Sequence, residues 1–435
     1  MVLGARPLEQ EGIEMVKKFD ISEILNLLYV LYAFTLPLSR ASASIATALI
    51  LLLFLFSPER KRWAEEFWRM PAAKWIVLFV AYYFFSLLIT TTSEHTAGEW
   101  KEGFRYLVPY LYLLPAAVMA VTLKKRYLPI VLLAFLAGML ASEILSYLIF
   151  FGLWEKNRAI VSMSNPTPFM HHIQYSTFLA FTALLLLDRI IRGAHKGYQV
   201  LYALFFAAVA GTLFLINGRT GQVAFLIGLF VLGLMHFQNK AKALLVSSLL
   251  TLLVVGTAYG LSDNFRERIS VAQSDIHNMI EKGNYGTSLG YRVGVTMLAV
   301  PLIEENPLLG TGVVDTMPLV RKEAAASFPG DYWLGIANHF QNQYLQVLVE
   351  IGLVGLGLLL IMFYYVARIP LRSEMYRNLK VILMSVFLFT MLSDIQLHIQ
   401  FTGGLFALIT GILLAEARVE QEEDQSAAKK ENADA

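Results

Sequence analysis

The chain contains no cysteine. A disulfide framework and a thiolate metal site are therefore excluded, and the redox compartment stays open. Charge is scarce. Asp, Glu, Lys and Arg make up 16% of the 435 residues, where soluble domains carry about 25%. The net charge is only +2, so no bulk field attracts nucleic acid. The sequence has no GxxxxGK[ST] phosphate loop, no HExxH zinc helix and no Asp-x-Asp pair to hold a metal and a nucleotide-sugar diphosphate. Neither a metal nor another cofactor is expected. "GLVGLG" (Gly352–Gly357) lies within an apolar run and follows no strand, so it reads as a helix-packing face rather than a dinucleotide fingerprint. The first twenty residues are polar and show no cleavable signal pattern.

Apolar residues are abundant, at 57% of the chain. A span needs roughly 20 mostly apolar residues to cross a core of about 30 Å. Twelve such runs lie near 22–39, 41–57, 73–92, 104–122, 127–152, 171–191, 198–216, 220–238, 241–259, 340–366, 378–397 and 400–416. The last two are separated by Asp394, Gln396, His398 and Gln400, which suit a tight turn at a membrane face. The expectation is an all-α integral membrane protein of about twelve transmembrane helices, with one large periplasmic loop of short helices. With the N-terminus in the cytoplasm, the short cytoplasmic loops carry seventeen Lys and Arg and the opposite short loops six. The positive-inside rule then puts both termini in the cytoplasm. Residues 1–20 form a cytoplasmic segment and 21–416 the membrane domain. The charged tail 417–435 is low in apolar residues and expected to be disordered.

One connection is long, at 260–338. Long loops are usually functional or disordered. This one has helical spacing in Tyr291–Ile303, closed as a turn by Pro301 and "ENPLLGTG". It reads as a lid over the outer face.

Polar residues gather on that side. Read as one helix, His339, Gln343, Gln346 and Glu350 fall at i, i+4, i+7 and i+11 on a single stripe, with Asn342 beside it. Lipid would strand their hydrogen bonds, so the stripe faces a wet cavity or polar partners. For Gln346 and Glu350, gluing helices together is as good a reading as binding. His339 and Gln343 at the mouth suit sugar hydroxyls, and imidazole is suited to proton transfer near neutral pH. Arg219 sits in the short turn "NGRTG", and Arg292 opens the loop helix in "LGYRVG". Guanidinium groups on one rim can grip a diphosphate bidentately, and the glycines flanking Arg219 would bring backbone N–H groups to an anion. The plainer reading, an anchor at headgroup level, fits Arg40, Arg105 and Arg158 better. His172 and Gln174, in "NPTPFMHHIQYS", make either a polar wall for substrate or a satisfied structural pair. His171 and His172 diverge by about 100° on a helix, so they cannot chelate one metal.

Together, "NGRTG", "YRVGVTMLAVPLIEENPLLGTGV" and "NHFQNQYLQVLVEIGLVG" resemble the O-antigen ligase family, which shares a superfamily with the O-antigen polymerases. The resemblance covers the whole layout. It implies transfer of a glycan from undecaprenyl diphosphate to a sugar hydroxyl of the lipid A-core in lipopolysaccharide assembly, at the periplasmic face, without metal and with inversion. His339 matches the family's essential His and Arg219 and Arg292 its phosphate-side arginines; Asn342, Gln343, Gln346, His172 and Gln174 are the candidate substrate-binding residues. An O-antigen polymerase or a protein O-oligosaccharyltransferase would use the same chemistry. A lipid-linked-sugar flippase would instead need polar residues across the whole bundle.

Overall fold

The computed structural model describes residues 20–92, 95–154, 161–193, 196–236, 239–261 and 263–434. The N-terminal segment before Asp20 and the anchor assigned to Arg158 lie outside them. The described residues are helical throughout, apart from turns, loops and an isolated bridge between Ser162 and Asn165. Such an architecture follows from the solvent. In lipid every backbone polar group must be satisfied within the protein, and helices do this locally.

All twelve apolar runs lie on helices. The first is α1 (Ile21–Thr35), capped by the Asp20 carboxylate on the Ser22 N–H, followed by α2 (Arg40–Phe56) and α3 (Arg60–Arg69). Then come α4 (Pro71–Phe85), α5 (Ala97–Leu107), α6 (Pro115–Thr122), α7 (Leu128–Phe150), α8 (His172–Ile191), α9 (Lys196–Leu215), α10 (Arg219–His236) and α11 (Lys240–Leu261). A short 3₁₀ segment (Ser86–Leu88) extends α4, and another (Val108–Leu113) joins α5 to α6. Among the described residues, eight helices are long and apolar enough to cross a membrane, or nine if α2 and α3, bent by 108°, count as one span. This is fewer than the twelve expected. The helices not counted are α1, with 15 residues, α17 (Glu374–Thr390), with 17, and α11.

The segment 260–338 is built of α12 (Asp263–Lys282), α13 (Ser288–Glu305), α14 (Thr316–Ser327) and α15 (Tyr332–Gly335). Pro301 does not close α13 as expected; the helix runs through it to Glu305. The segment has its own apolar cluster, in which Val295, Leu298, Leu302, Val320 and Leu334 meet Phe340 and Val349. The Asp315 carboxylate ties it to the loop after α4, accepting from the backbone N–H and hydroxyl of both Thr91 and Thr92 at 2.6–3.1 Å.

The next helix, α16 (Gln343–Ala367), is broken. Ile351 and Gly352 leave helical geometry, and Gly352 has φ +65°. The backbone of 307–312 fills the gap. Thr311 and Gly312 donate to the Val349 and Glu350 carbonyls, while the Leu353 and Val354 N–H groups donate to Pro307 and Leu308. A Cβ on Gly352 would stand 2.2 Å from the Leu308 oxygen. Gly352 is therefore a designed interruption, not the ordinary packing face that "GLVGLG" implied. Non-helical backbone at this depth is tolerable because it is buried in protein.

The last helix, α18 (Gln400–Asp434), is the central post: every residue from Phe401 to Ala415 is buried. The tail expected to be disordered continues this helix to Asp434. Arg418 pairs with Glu422 one turn on, and Lys125 and Arg372 pair with Glu423 and Asp424.

Candidate active site

Two cavities meet at His339. The first, of about 620 Å³, is lined by Arg219 and Thr220 at the start of α10, His172 at the start of α8, Tyr291 and Arg292 of α13, Trp333 of α15, and Asn338, His339 and Gln341. The second, of about 480 Å³, is lined by Tyr106, His171, Gln174, Asp394 and His398, and by the same Asn338, His339 and Gln341. Arg219, Arg292, His172 and His339 thus share one cavity, and Gln174 opens on the other. The neighbouring histidines line one cavity each but do not diverge as expected: His171 precedes the helix, and the two rings lie with centroids 3.9 Å apart.

The remaining expected residues lie elsewhere. The helix begins at Gln343 rather than His339, because the Asn342 side chain caps it, accepting from the Tyr344 and Leu345 N–H groups at 3.0 and 3.1 Å. An asparagine whose oxygen takes the first free N–H groups is a standard helix start, so His339 stands in the loop above and the continuous stripe does not exist. Gln343 is fully buried. Its Oε1 accepts from the Leu397 N–H at 2.9 Å, holding the 391–399 turn. Gln346 is buried too, accepting from the Phe340 N–H at 2.9 Å and donating to Glu350 at 2.7 Å. Glu350 completes the network by accepting from Tyr83 at 3.0 Å. Asn342, Gln343 and Gln346 therefore build the site's floor and line neither cavity.

The glycines beside Arg219 also differ from expectation. They let α10 press on α8: a Cβ on Gly218 would come 2.3 Å from that of Ser176, and the Gly221 N–H is taken by the Ser176 hydroxyl at 3.2 Å. They position Arg219 by close packing, and the Gly221 N–H is not available to an anion. Arg292 donates through one terminal nitrogen to the carbonyl and hydroxyl of Ser288, both at 3.0 Å, while its buried Nε has no protein partner. Burial lowers the affinity of this guanidinium for its proton, and Asp394 opposes the effect. A buried donor without a partner is costly, so this nitrogen is available to an anion.

His339 is held in a telling orientation. Its Nδ1 accepts from the Gln341 backbone N–H at 3.0 Å, and Gln341 sits at φ +48°, a rare conformation for a side-chain-bearing residue. Burial lowers the His339 pKa; nearby Arg292 adds to the effect and Asp394 opposes it. The ring is thus neutral near pH 7, with Nδ1 as acceptor and the proton on Nε2. It presents a donor. To take a proton it must first give up the Gln341 contact.

Sequence reasoning missed Asp394 as a chemical group. It is the one carboxylate lining either cavity among the described residues. The sequence flagged it as part of a turn, but its approach to His339 is made by tertiary folding. His398, in the same turn, stacks on Tyr106 with centroids 4.1 Å apart, and one ring nitrogen lies 2.7 Å from the Tyr106 carbonyl. No group of three or more His, Asp or Glu able to hold a metal occurs among the described residues.

Residues 203–360, which carry Arg219, Arg292 and His339, match the family model described as O-antigen ligase. Over those residues the chain is similar to the O-antigen ligase family. Members of that family are membrane enzymes of glycosyl transfer. A relative from Haemophilus influenzae, named only as an uncharacterized protein, is 28% identical over 215 residues, covering 46% of this chain and 53% of the relative. The chain thus spans about half the length of the curated relative it matches. The matched stretch runs from within α9 to within α16 and takes in the short Arg219 turn, the lid and the broken helix.

Proposed function

We propose that this protein is an O-antigen ligase of the bacterial inner membrane, with its site facing the periplasm. It moves a glycan from undecaprenyl diphosphate to a sugar hydroxyl of the lipid A-core. The observation carrying this reading is the convergence of Arg219, Arg292, His172 and His339, from separate segments, on one cavity. Two arginines on one cavity wall, one of them with a buried Nε that has no protein partner, suit a diphosphate leaving group.

The two cavities divide the substrates. The arginine cavity holds the donor diphosphate, and the Asp394 cavity holds the acceptor sugar. The acceptor hydroxyl attacks the anomeric carbon at their junction as the carbon–oxygen bond to the diphosphate breaks. Arg219 and Arg292 neutralise the charge that grows on the departing diphosphate, which is commonly the largest catalytic contribution. The Asp394 carboxylate accepts the hydroxyl proton. His339, with its proton on Nε2, donates to an oxygen at the junction and orients it. This replaces the general-base role that the sequence assigned to His339.

The decisive experiment is reconstitution with undecaprenyl-diphosphate-linked glycan and either lipid A-core or further donor. Extension of lipid A-core is expected. Extension only of the lipid-linked glycan would make the protein a polymerase, and glycan on an added protein acceptor an O-oligosaccharyltransferase. Donor crossing the bilayer with no bond made would make it a flippase. The polar groups deeper in the bundle speak against that last outcome. Glu143 is tied to Tyr175 and Thr212 at 2.6 and 2.7 Å, and Glu350 to Tyr83 and Gln346, so they form closed local networks rather than a path.

A further inference from the structure

At the end of α16 remote from His339 lies a cavity of about 250 Å³ that the transfer reaction does not use. Arg69 closes α3, Arg368 follows α16, and Arg418 comes from α18; Tyr365 and Gln421 complete the polar wall. No carboxylate lines it. Arg418 is fixed by donating to the Ala120 and Leu123 carbonyls at 2.9 and 2.7 Å and by its pair with Glu422. Among the described residues, no carboxylate pairs with Arg69 or Arg368. The rest of the wall is apolar: Met70, Ile369 and Leu414.

The surroundings belong to a membrane surface. Helix α3 (RKRWAEEFWR) turns 108° from α2, buries Trp63 and Phe67, and leaves Trp68 44% exposed beside Arg69. Amphipathic helices with tryptophan and basic residues lie at the headgroup level. Trp75 stacks on Tyr365, ring planes 10° apart, with Lys74 over its face at 5.8 Å. Basic pockets between helix ends at the Lys- and Arg-rich face of a membrane protein suit anionic headgroups.

The geometry points to a binding site for one acidic glycerophospholipid of the cytoplasmic leaflet, its phosphate between Arg69 and Arg368 and its acyl chains along the exposed apolar face of α16. The cavity accommodates a phosphate and a glycerol; Ile361 and Tyr364, one turn before Tyr365 and Arg368 and 36% and 52% exposed, offer the chains their surface. The site is independent of the reading of the transfer reaction.

The test is thermal unfolding of the full chain in neutral detergent, titrated with phosphatidylglycerol, phosphatidylcholine or inorganic phosphate. Phosphatidylglycerol should raise Tm saturably and the other two should not. Arg69→Gln with Arg368→Gln should weaken the apparent affinity roughly thirtyfold, from the usual worth of two basic residues near anionic lipid. Arg60→Gln with Lys61→Gln, which removes the same charge from the same helix outside the cavity, should keep wild-type affinity. Equal loss in both pairs would reduce the effect to general surface attraction, and full retention in the first pair would remove the site. The same shift with inorganic phosphate would make it a simple anion site. If the Arg69/Arg368 pair melts too low to titrate, native mass spectrometry of Arg368→Gln replaces it: loss of one bound phosphatidylglycerol is expected, and retention overturns the assignment.

Discussion

At residue scale, a single hydrogen bond decides what His339 does. With Nδ1 occupied by the Gln341 N–H, the ring offers a donor, and an amide can imitate a donor. His339→Gln should therefore keep measurable ligation, roughly a tenth to a hundredth of wild type, with no new acidic limb in its rate profile. Asp394→Asn removes the proton acceptor and should cost about 10²–10⁴ in rate. The reverse ranking in a ligation assay would return the base role to His339. Arg219→Ala and Arg292→Ala should each abolish transfer while the protein still elutes as a folded species. Lysine should rescue either poorly because it lacks the planar fork, so normal ligation by both Ala variants would move the diphosphate elsewhere. His398 has a separate consequence. Burial pushes its pKa from 6.5 to about 4, so the unfolded chain binds a proton more readily than the folded one. Stability must then fall as pH drops from about 6.5 towards 4, by up to about 3 kcal/mol. His398→Gln should flatten that part of a Tm-against-pH curve; an unchanged slope would assign the acid sensitivity to other groups.

At the scale of elements, the sequence marked where helices lie better than where they stop. Apolar runs are local and readable, so all twelve fall on helices. The helix start at Gln343 was readable too, since Asn342 is a capping residue; the polar spacing of His339 obscured it. The break at Ile351–Gly352 was not readable, because its cause is some forty residues upstream. The chain after Glu350 is uniformly apolar, and only the inserted 307–312 backbone shows why the ladder opens. Gly352→Ala puts a Cβ 2.2 Å from the Leu308 oxygen at φ +65° and ψ −166°, a conformation nearly confined to glycine and costing about 1–3 kcal/mol before any clash. Gly357, in the same helix, has nothing within 4 Å of a Cβ. Gly352→Ala should thus lower Tm by several degrees and reduce the folded yield, while Gly357→Ala stays near wild type. Equal behaviour of the two in detergent melts would deny the inserted loop its structural role.

At the scale of the whole molecule, the two cavities lie at one end of α16 and the arginine cluster at the other, so the functional reading depends on which way the bundle faces. The candidate site gathers residues from four distant stretches of chain. Sequence spacing could nominate Arg219, Arg292, His172 and His339 one by one, but their common cavity, and the presence of Asp394 beside it, are products of folding. The orientation itself rests on the excess of Lys and Arg in one set of loops. Because the chain has no cysteine, each introduced thiol reports without background. Ser274 on α12 and Ala325 on α14 are exposed, as is Lys61 on α3. In intact cells with a permeable outer membrane, Ser274→Cys and Ala325→Cys should react with an impermeant maleimide, and Lys61→Cys only after the inner membrane is opened. Were Lys61→Cys labelled first, the lid and both cavities would face the cytoplasm, and the proposed ligase of the periplasmic face would no longer fit this protein. Labelling in the expected order places α12 to α15 on the outer side, as the proposed reaction requires of the cover over His339 and Asp394.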